Sequence, residues 1–283
     1  MAEQAKGWAA LEAELSAWSR AGRTATLWWR DDDAAAGNAK LGRLLELAAK
    51  FAAPVALAAV PRLADASLMR LIEQARDVTP IVHGYAHINH APEAEKQAEF
   101  GAHRGIGVMC AELAAGLNIL RDMFGAGLQP VLVPPWNRIA PALAPHLRGL
   151  GYTGVSAFRP APGRRPAPGI VQTNCHIDAI GWRPTQSARP AEMVLGELTA
   201  LLRIRRLYPH VPADTLIFEK PIPPGFDPGE PTGILTHHLA QDADMWEFLA
   251  QLLRTIAPHC KPGGGARWMN CAEAFMLDGA KSV

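Results

Sequence analysis

The feature that most constrains this chain is a repeated alternation of short apolar runs with segments of helical spacing. Thr24–Trp29, Val55–Val60, Thr79–Val82, Leu128–Val133, Gly154–Ala157, Ile170–Ile180 and Gly233–Thr236 read as strands. Between and after them, Leu41–Phe51, Ser67–Arg76, Ile106–Phe124, Ala140–Leu150, Ala191–Leu207 and Asp242–Ile256 read as helices. A helix between consecutive strands forces a right-handed crossover, and the strands then lie parallel beneath a helical layer. The expected class is therefore α/β, and with about seven βα units and no linker a barrel is favoured over an open sheet. All of 1–283 reads as one domain, opened by an amphipathic helix at 8–21 that carries Trp8, Leu11, Leu15 and Trp18. Residues 91–105 are polar and glycine-bearing and read as a mobile loop or insertion. A Pro- and Gly-rich excursion spans 208–231. These two loops are expected to set specificity, because loops on a rigid scaffold carry function. A final segment, Arg267–Met276, closes the chain.

Composition removes several classes of function. The 28 basic and 27 acidic side chains leave a net charge of +1 with no block of either sign. Nucleic-acid and membrane partners are therefore not expected. The run Arg203, Arg205, Arg206 reads as the solvated end of a helix. Glu3, Glu12 and Glu14 interrupt the N-terminus, which lacks the apolar core of a secretory signal, and no stretch is long enough to span a bilayer. Cys110, Cys175, Cys260 and Cys271 are scattered without a C-x-x-C spacing, so the expectation is a cytoplasmic protein with reduced thiols. There is no Gly-x-Gly-x-x-Gly fingerprint to suggest a dinucleotide site.

The polar residues gather where a parallel barrel places its active site, at the C-terminal ends of the strands. Those ends read Asp31-Asp32-Asp33, His83 to His87, Pro134-Pro135-Trp136-Asn137-Arg138, His176-Ile177-Asp178 and Thr236-His237-His238. Three adjacent carboxylates repel one another, and a divalent cation removes that penalty. The alternative is a helix cap that needs only one of them. His83 and His87, four residues apart, fall on one side of a compact turn and suit a shared metal. His90 is a further candidate ligand or a solvated loop residue. The Pro134-Pro135 pair stiffens the backbone before Trp136, either as an ordinary turn or to aim an N–H at a developing oxyanion. His237 suits general acid chemistry, whereas strand alternation turns His238 the other way. Asp178 lies in an apolar strand, where a buried carboxylate needs a partner, and His237 is the candidate.

Taken in order, these segments resemble the polysaccharide deacetylase (NodB-homology, carbohydrate esterase family 4) superfamily. Its motifs are Thr-Phe-Asp-Asp-Gly, His-(Ser/Thr)-x-x-His, Arg-x-Pro-x-Gly, an Asp/Trp-containing strand and Leu-x-His. The counterparts here are Trp29 to Asp33, His83 to His87, Val133 to Asn137, His176 to Trp182, and Leu235-Thr236-His237. The resemblance implies a distorted (β/α)7 barrel and one divalent metal, most often zinc, on Asp32, His83 and His87. It further implies Asp31 as general base, the Trp136 N–H as oxyanion donor, and His237 as general acid supported by Asp178. Three positions depart from the pattern. Val133 stands in place of the arginine that braces the catalytic aspartate, with Arg30 or Arg138 as candidate substitutes and substrate contacts. Asp33 replaces a glycine, and Gly84 replaces the Ser/Thr.

The expected function is metal-dependent hydrolysis of a C–N amide bond through metal-activated water. The substrate would be a carbohydrate or small sugar-like acetamide. The rival expectations are a hydrolase of a non-sugar amide, and a non-catalytic metal- or sugar-binding barrel. A structural protein with no site at all would have to crowd charges at five strand ends without partners, which is costly.

Overall fold

The computed structural model describes residues 2–182, 187–212 and 214–276. Nine strands form the main sheet: β1 (Ala25–Ala34), β2 (Val55–Ala59), β3 (Val78–His83), β4 (Val131–Val133), β5 (Gly154–Val155), β6 (Val171–Gln172), β7 (Cys175–Asp178), β8 (Thr232–Thr236) and β9 (Ala266–Trp268). Their order is β6-β5-β4-β3-β2-β1-β8-β7, with β9 paired to the start of β1, and every pair is parallel. A single parallel bridge, Phe158 to Cys175, joins the β5 side to β7 and brings the curled sheet round on itself. The result is the expected distorted barrel of parallel strands with helices around it.

Helices cover the outside. The main ones are α1 (Ala2–Arg20), α2 (Ala39–Phe51), α3 (Ala66–Gln74), α4 (Ile106–Phe124), α5 (Ala144–Leu147), α6 (Ala191–Leu207) and α7 (Ala243–Ile256). Asn38, Asp65 and Asp242 cap α2, α3 and α7 by accepting backbone N–H groups of the first turn. The opening helix lays Leu11, Leu15 and Trp18 into the core and packs against α6 and α7. The final segment divides into β9 and a short helix, Cys271–Ala274.

Strand alternation sorts the β1 side chains into two layers. Leu27 and Trp29 face the helices. Trp28 packs with Ala56, Ala58, Ile81, Val131, Val133 and Leu235 in the barrel interior. Arg30 and Asp32 follow Trp28 inward, His83 follows Ile81, and His237 follows Leu235. The barrel mouth is thus polar because the inward face of three strands turns polar towards its C-terminal end.

Two expectations of solvent exposure are corrected. Within residues 91–105, positions 92–97 are exposed, but Glu99 and Phe100 are 1% and 0% exposed and find partners on the barrel. The arginine run is not solvated throughout. Arg205 is buried against Glu230, and Arg206 pairs with Glu14 of α1 at 2.7 Å. Among the described residues, no helix is long and apolar enough to cross a membrane.

Candidate metal centre and active-site cleft

A cleft of about 520 Å³ opens at the C-terminal ends of the strands, and its lining includes Asp32, Asp33, His83, His87, Trp136 and His237. The side chains gathered at its floor are Asp33, His83 and His87, whose ligand atoms all lie within 4.8 Å of one another. Asp33 Oδ1 is 3.0 Å from His83 Nε2 and 3.2 Å from His87 Nε2. His83 Nδ1 lies 3.0 Å from the Val133 carbonyl, which fixes the ring and leaves Nε2 facing the cleft. Burial opposes ionisation of Asp33, yet hydrogen bonds from His83 and His87 and nearby positive charge hold its carboxyl well below the usual range. Burial likewise opposes protonation of His83, but Asp32 and Asp33 overcome it and raise its pKa. One carboxylate with two imidazoles is a donor set that suits a divalent metal.

The carboxylate gathered with the histidines is Asp33 and not Asp32. Asp33 has φ 70, in the left-handed region, and the β1–β2 register shifts between Asp31 and Ala34. This irregularity breaks the alternation, so Asp32 and Asp33 both face the cleft instead of opposite sides of the sheet. Asp is among the few residues that tolerate that conformation. In the sequence the position was marked only as one of three adjacent aspartates, standing where the resembled motif has a glycine.

Asp31 faces the other way, into the helical layer. Its Oδ2 accepts from Thr236 Oγ1 at 2.6 Å and from the His238 N–H at 3.0 Å, and its Oδ1 is 2.5 Å from His238 Nδ1. Both Asp31 and His238 are fully buried, so Asp31 does not line the cleft as a general base would have to. The expected division of His237 inward and His238 outward does hold, because alternation persists along β8.

Asp32 lines the cleft beside His237. It is 1% exposed, and its Oδ2 lies 3.9 Å from His237 Nε2. Arg30, two residues earlier on the same face, places Nε 2.9 Å from Asp32 Oδ1 and donates Nη2 to Oδ2 at 3.0 Å. The remaining guanidinium donors reach Ser156 Oγ at 2.6 Å, the Ala157 carbonyl at 3.2 Å and Asn137 Oδ1 at 2.6 Å. Arg30 is 0% exposed, so it braces Asp32 and is not a substrate contact. Of this arginine's anchors, Asn137 stood in the Pro134–Arg138 cluster without an assigned role, and Ser156 had no distinguishing signal in the sequence.

The other candidates divide. Trp136 and Arg138 line the cleft, with Arg138 donating to the Gln97 carbonyl at 2.7 Å. Trp136 and Asn137 both adopt left-handed backbone, φ 56 and φ 57, and the Trp136 ring packs 4.4 Å from His87. Asp178 also lines the cleft, but its oxygens accept from the Ile180 N–H at 2.9 Å and from Trp182 Nε1 at 3.0 Å. His237 Nδ1 has no hydrogen-bond partner among the described residues, so the two are not directly bonded. Burial raises the Asp178 pKa, and the charge of His237 pulls it back in part. Trp182 stands edge-on to His237 at 4.7 Å. His176 lies outside the cleft, with Nδ1 accepting from the Gly233 N–H at 3.0 Å and Nε2 3.2 Å from Glu230. His90 is exposed and outside the metal cluster.

Fold and site together define a helix-covered parallel barrel with an Asp-His-His centre at its mouth. No family model matches the sequence, and no curated protein matches it. Solved structures do match. A carbohydrate esterase family 4 (CE4) esterase from Streptococcus mutans gives a TM-score of 0.53 at 13% identity, over 87% of this chain and 85% of that one. A mutant of a CE4-family pseudoenzyme with restored enzymatic activity gives 0.51 at 17% identity, over 89% and 68%. The chain has the fold of the family 4 carbohydrate esterases, which is the fold its motif order implied.

Proposed function

We propose that this chain is a metal-dependent amide hydrolase that removes the acetyl group from a carbohydrate or small sugar-like acetamide. The observation that carries the reading is the convergence of Asp33, His83 and His87 within 4.8 Å, beside Asp32 and His237 in one cleft. Asp33, His83 and His87 would hold a divalent metal, zinc by preference for this donor set. When bound, such an ion polarises an acyl oxygen and lowers the pKa of water.

The remaining chemistry falls to the chain itself. Asp32, held in one orientation by Arg30, takes a proton from the attacking water as its oxygen bonds to the acyl carbon. The Trp136 N–H is the proposed donor to the oxyanion that forms on that carbon. His237 gives a proton to the nitrogen as the C–N bond breaks, releasing acetate and the amine. Trp182 and Trp136 offer aromatic walls against which a sugar ring packs. The Arg30–Asp32 pair favours catalysis over the binding-only alternative, because the base keeps its brace.

The test is metal content and turnover in parallel. Purified wild type is expected to hold about one zinc per chain and to release acetate from a panel of N-acetylated sugars. Asp33→Ala, or His83→Ala with His87→Ala, should lose the metal. Asp32→Asn should keep it and lose turnover by about a hundredfold or more. Wild type that takes up no zinc, or metal-loaded protein inert on every acetamide, would refute the reading.

A further inference from the structure

His83 and His87 bound a short loop with two left-handed residues, Gly84 at φ 61 and His87 at φ 57. Such a loop satisfies few of its own N–H groups, and buried ones need acceptors from elsewhere. One side chain supplies them. Glu99, 1% exposed, accepts from the Ala86 N–H through Oε1 at 2.7 Å and from the Tyr85 N–H through Oε2 at 3.1 Å. Oε1 also lies 3.5 Å from the Ile88 N–H. A Cβ on Gly84 would collide with this carboxylate and with the Pro135 ring, so the glycine leaves the space that Glu99 fills.

Glu99 is itself anchored. Its carbonyl accepts from Arg104 Nη1 at 2.9 Å, and Arg104 makes a two-point pair with Glu112 of α4 at 2.8 and 2.7 Å. The next residue, Phe100, is fully buried and bonds through its carbonyl to the Ala140 N–H at 2.7 Å.

We propose that Glu99 is a positioning residue of the metal centre. Its carboxylate sets the shape of the 84–88 loop and so the direction in which His87 presents Nε2 to Asp33. The inference rests on the reading of Asp33, His83 and His87 as metal ligands. Two carboxylate oxygens meet converging N–H donors. The amide of Gln offers one acceptor oxygen and turns an NH2 against a second N–H. Asp is one methylene too short to reach both.

The experiment compares wild type, Glu99→Gln and Glu99→Asp. Amide hydrogen exchange over residues 84–88 is followed in metal-free protein, zinc affinity by competition with a chelating dye, and the global fold by circular dichroism. Both variants should exchange Tyr85 and Ala86 faster by about tenfold or more with β3 unchanged, and should bind zinc roughly ten- to a hundredfold more weakly. Folded variants with wild-type exchange and affinity would overturn the proposal alone. Loss of protection across the whole barrel in both variants would also overturn it, by making Glu99 a general stability residue. Wild type that binds no zinc would overturn the metal reading and this proposal with it.

Discussion

Removing the Arg30 side chain should be among the most damaging single changes in this protein. Arg30→Met keeps length and apolar character but leaves Asp32 as a buried carboxylate without its cation, and strips a donor from Ser156, Ala157 and Asn137. Breaking a buried ion pair from one side costs about 3–5 kcal/mol. Orphaned acceptors add to this, though those near the cleft recover part of it from water. A loss of about 4 kcal/mol would be about a quarter or more of the roughly 5–15 kcal/mol that holds a typical domain together. For a chain of this size it corresponds to a fall of roughly 8–16 °C in melting temperature.

The assay is urea unfolding of metal-free Arg30→Met, Asp32→Leu and the double variant, so that metal binding does not enter the stability. The double variant removes both charges and should be destabilised by less than the sum of the singles, with a coupling of about 2 kcal/mol or more. Additivity within about 0.5 kcal/mol would refute the argument that these two residues form one buried electrostatic unit.

Three further outcomes are expected. Burial opposes ionisation of Glu230, but His176, Arg205 and the Asn174 N–H hold its carboxyl at about 2, below the ordinary 4.5. Its contribution is therefore complete above pH 4.5 and lost as pH falls towards 2, on the order of 3 kcal/mol. Glu230→Gln should flatten the acid limb of a stability-versus-pH curve measured by denaturant midpoint, and an unaltered limb would exclude Glu230 as its source. Gly84→Ala places a methyl against Glu99 and Pro135 in left-handed backbone, and should cost about 2–4 kcal/mol by calorimetry. Asp31→Asn disturbs the bonds to Thr236 and His238 behind the cleft, and should cost about 1–3 kcal/mol while zinc content stays at the wild-type level. Loss of zinc in a folded Asp31→Asn protein would place Asp31 at the metal and refute this assignment.

Much of this protein was legible in its sequence. The alternation of strand and helix patterns determined a parallel sheet under helices, because crossovers leave few other arrangements. The polar residues at strand ends determined where the cleft lies, and the period of two along β8 separated His237 from His238. The sequence did not determine which of three adjacent aspartates does what. Strict alternation puts Asp31 and Asp33 on the same side of the sheet, and the left-handed backbone at Asp33 overrides it. The partners of these carboxylates were equally hidden. Arg30 reaches Asp32 along its own strand, His238 meets Asp31 from β8, and Glu99 enters the histidine loop from a segment that reads as a polar loop. Such contacts depend on where distant backbone brings a donor to an acceptor. That placement is decided by packing of the whole barrel, because a buried charge or N–H must find its partner wherever the fold supplies one.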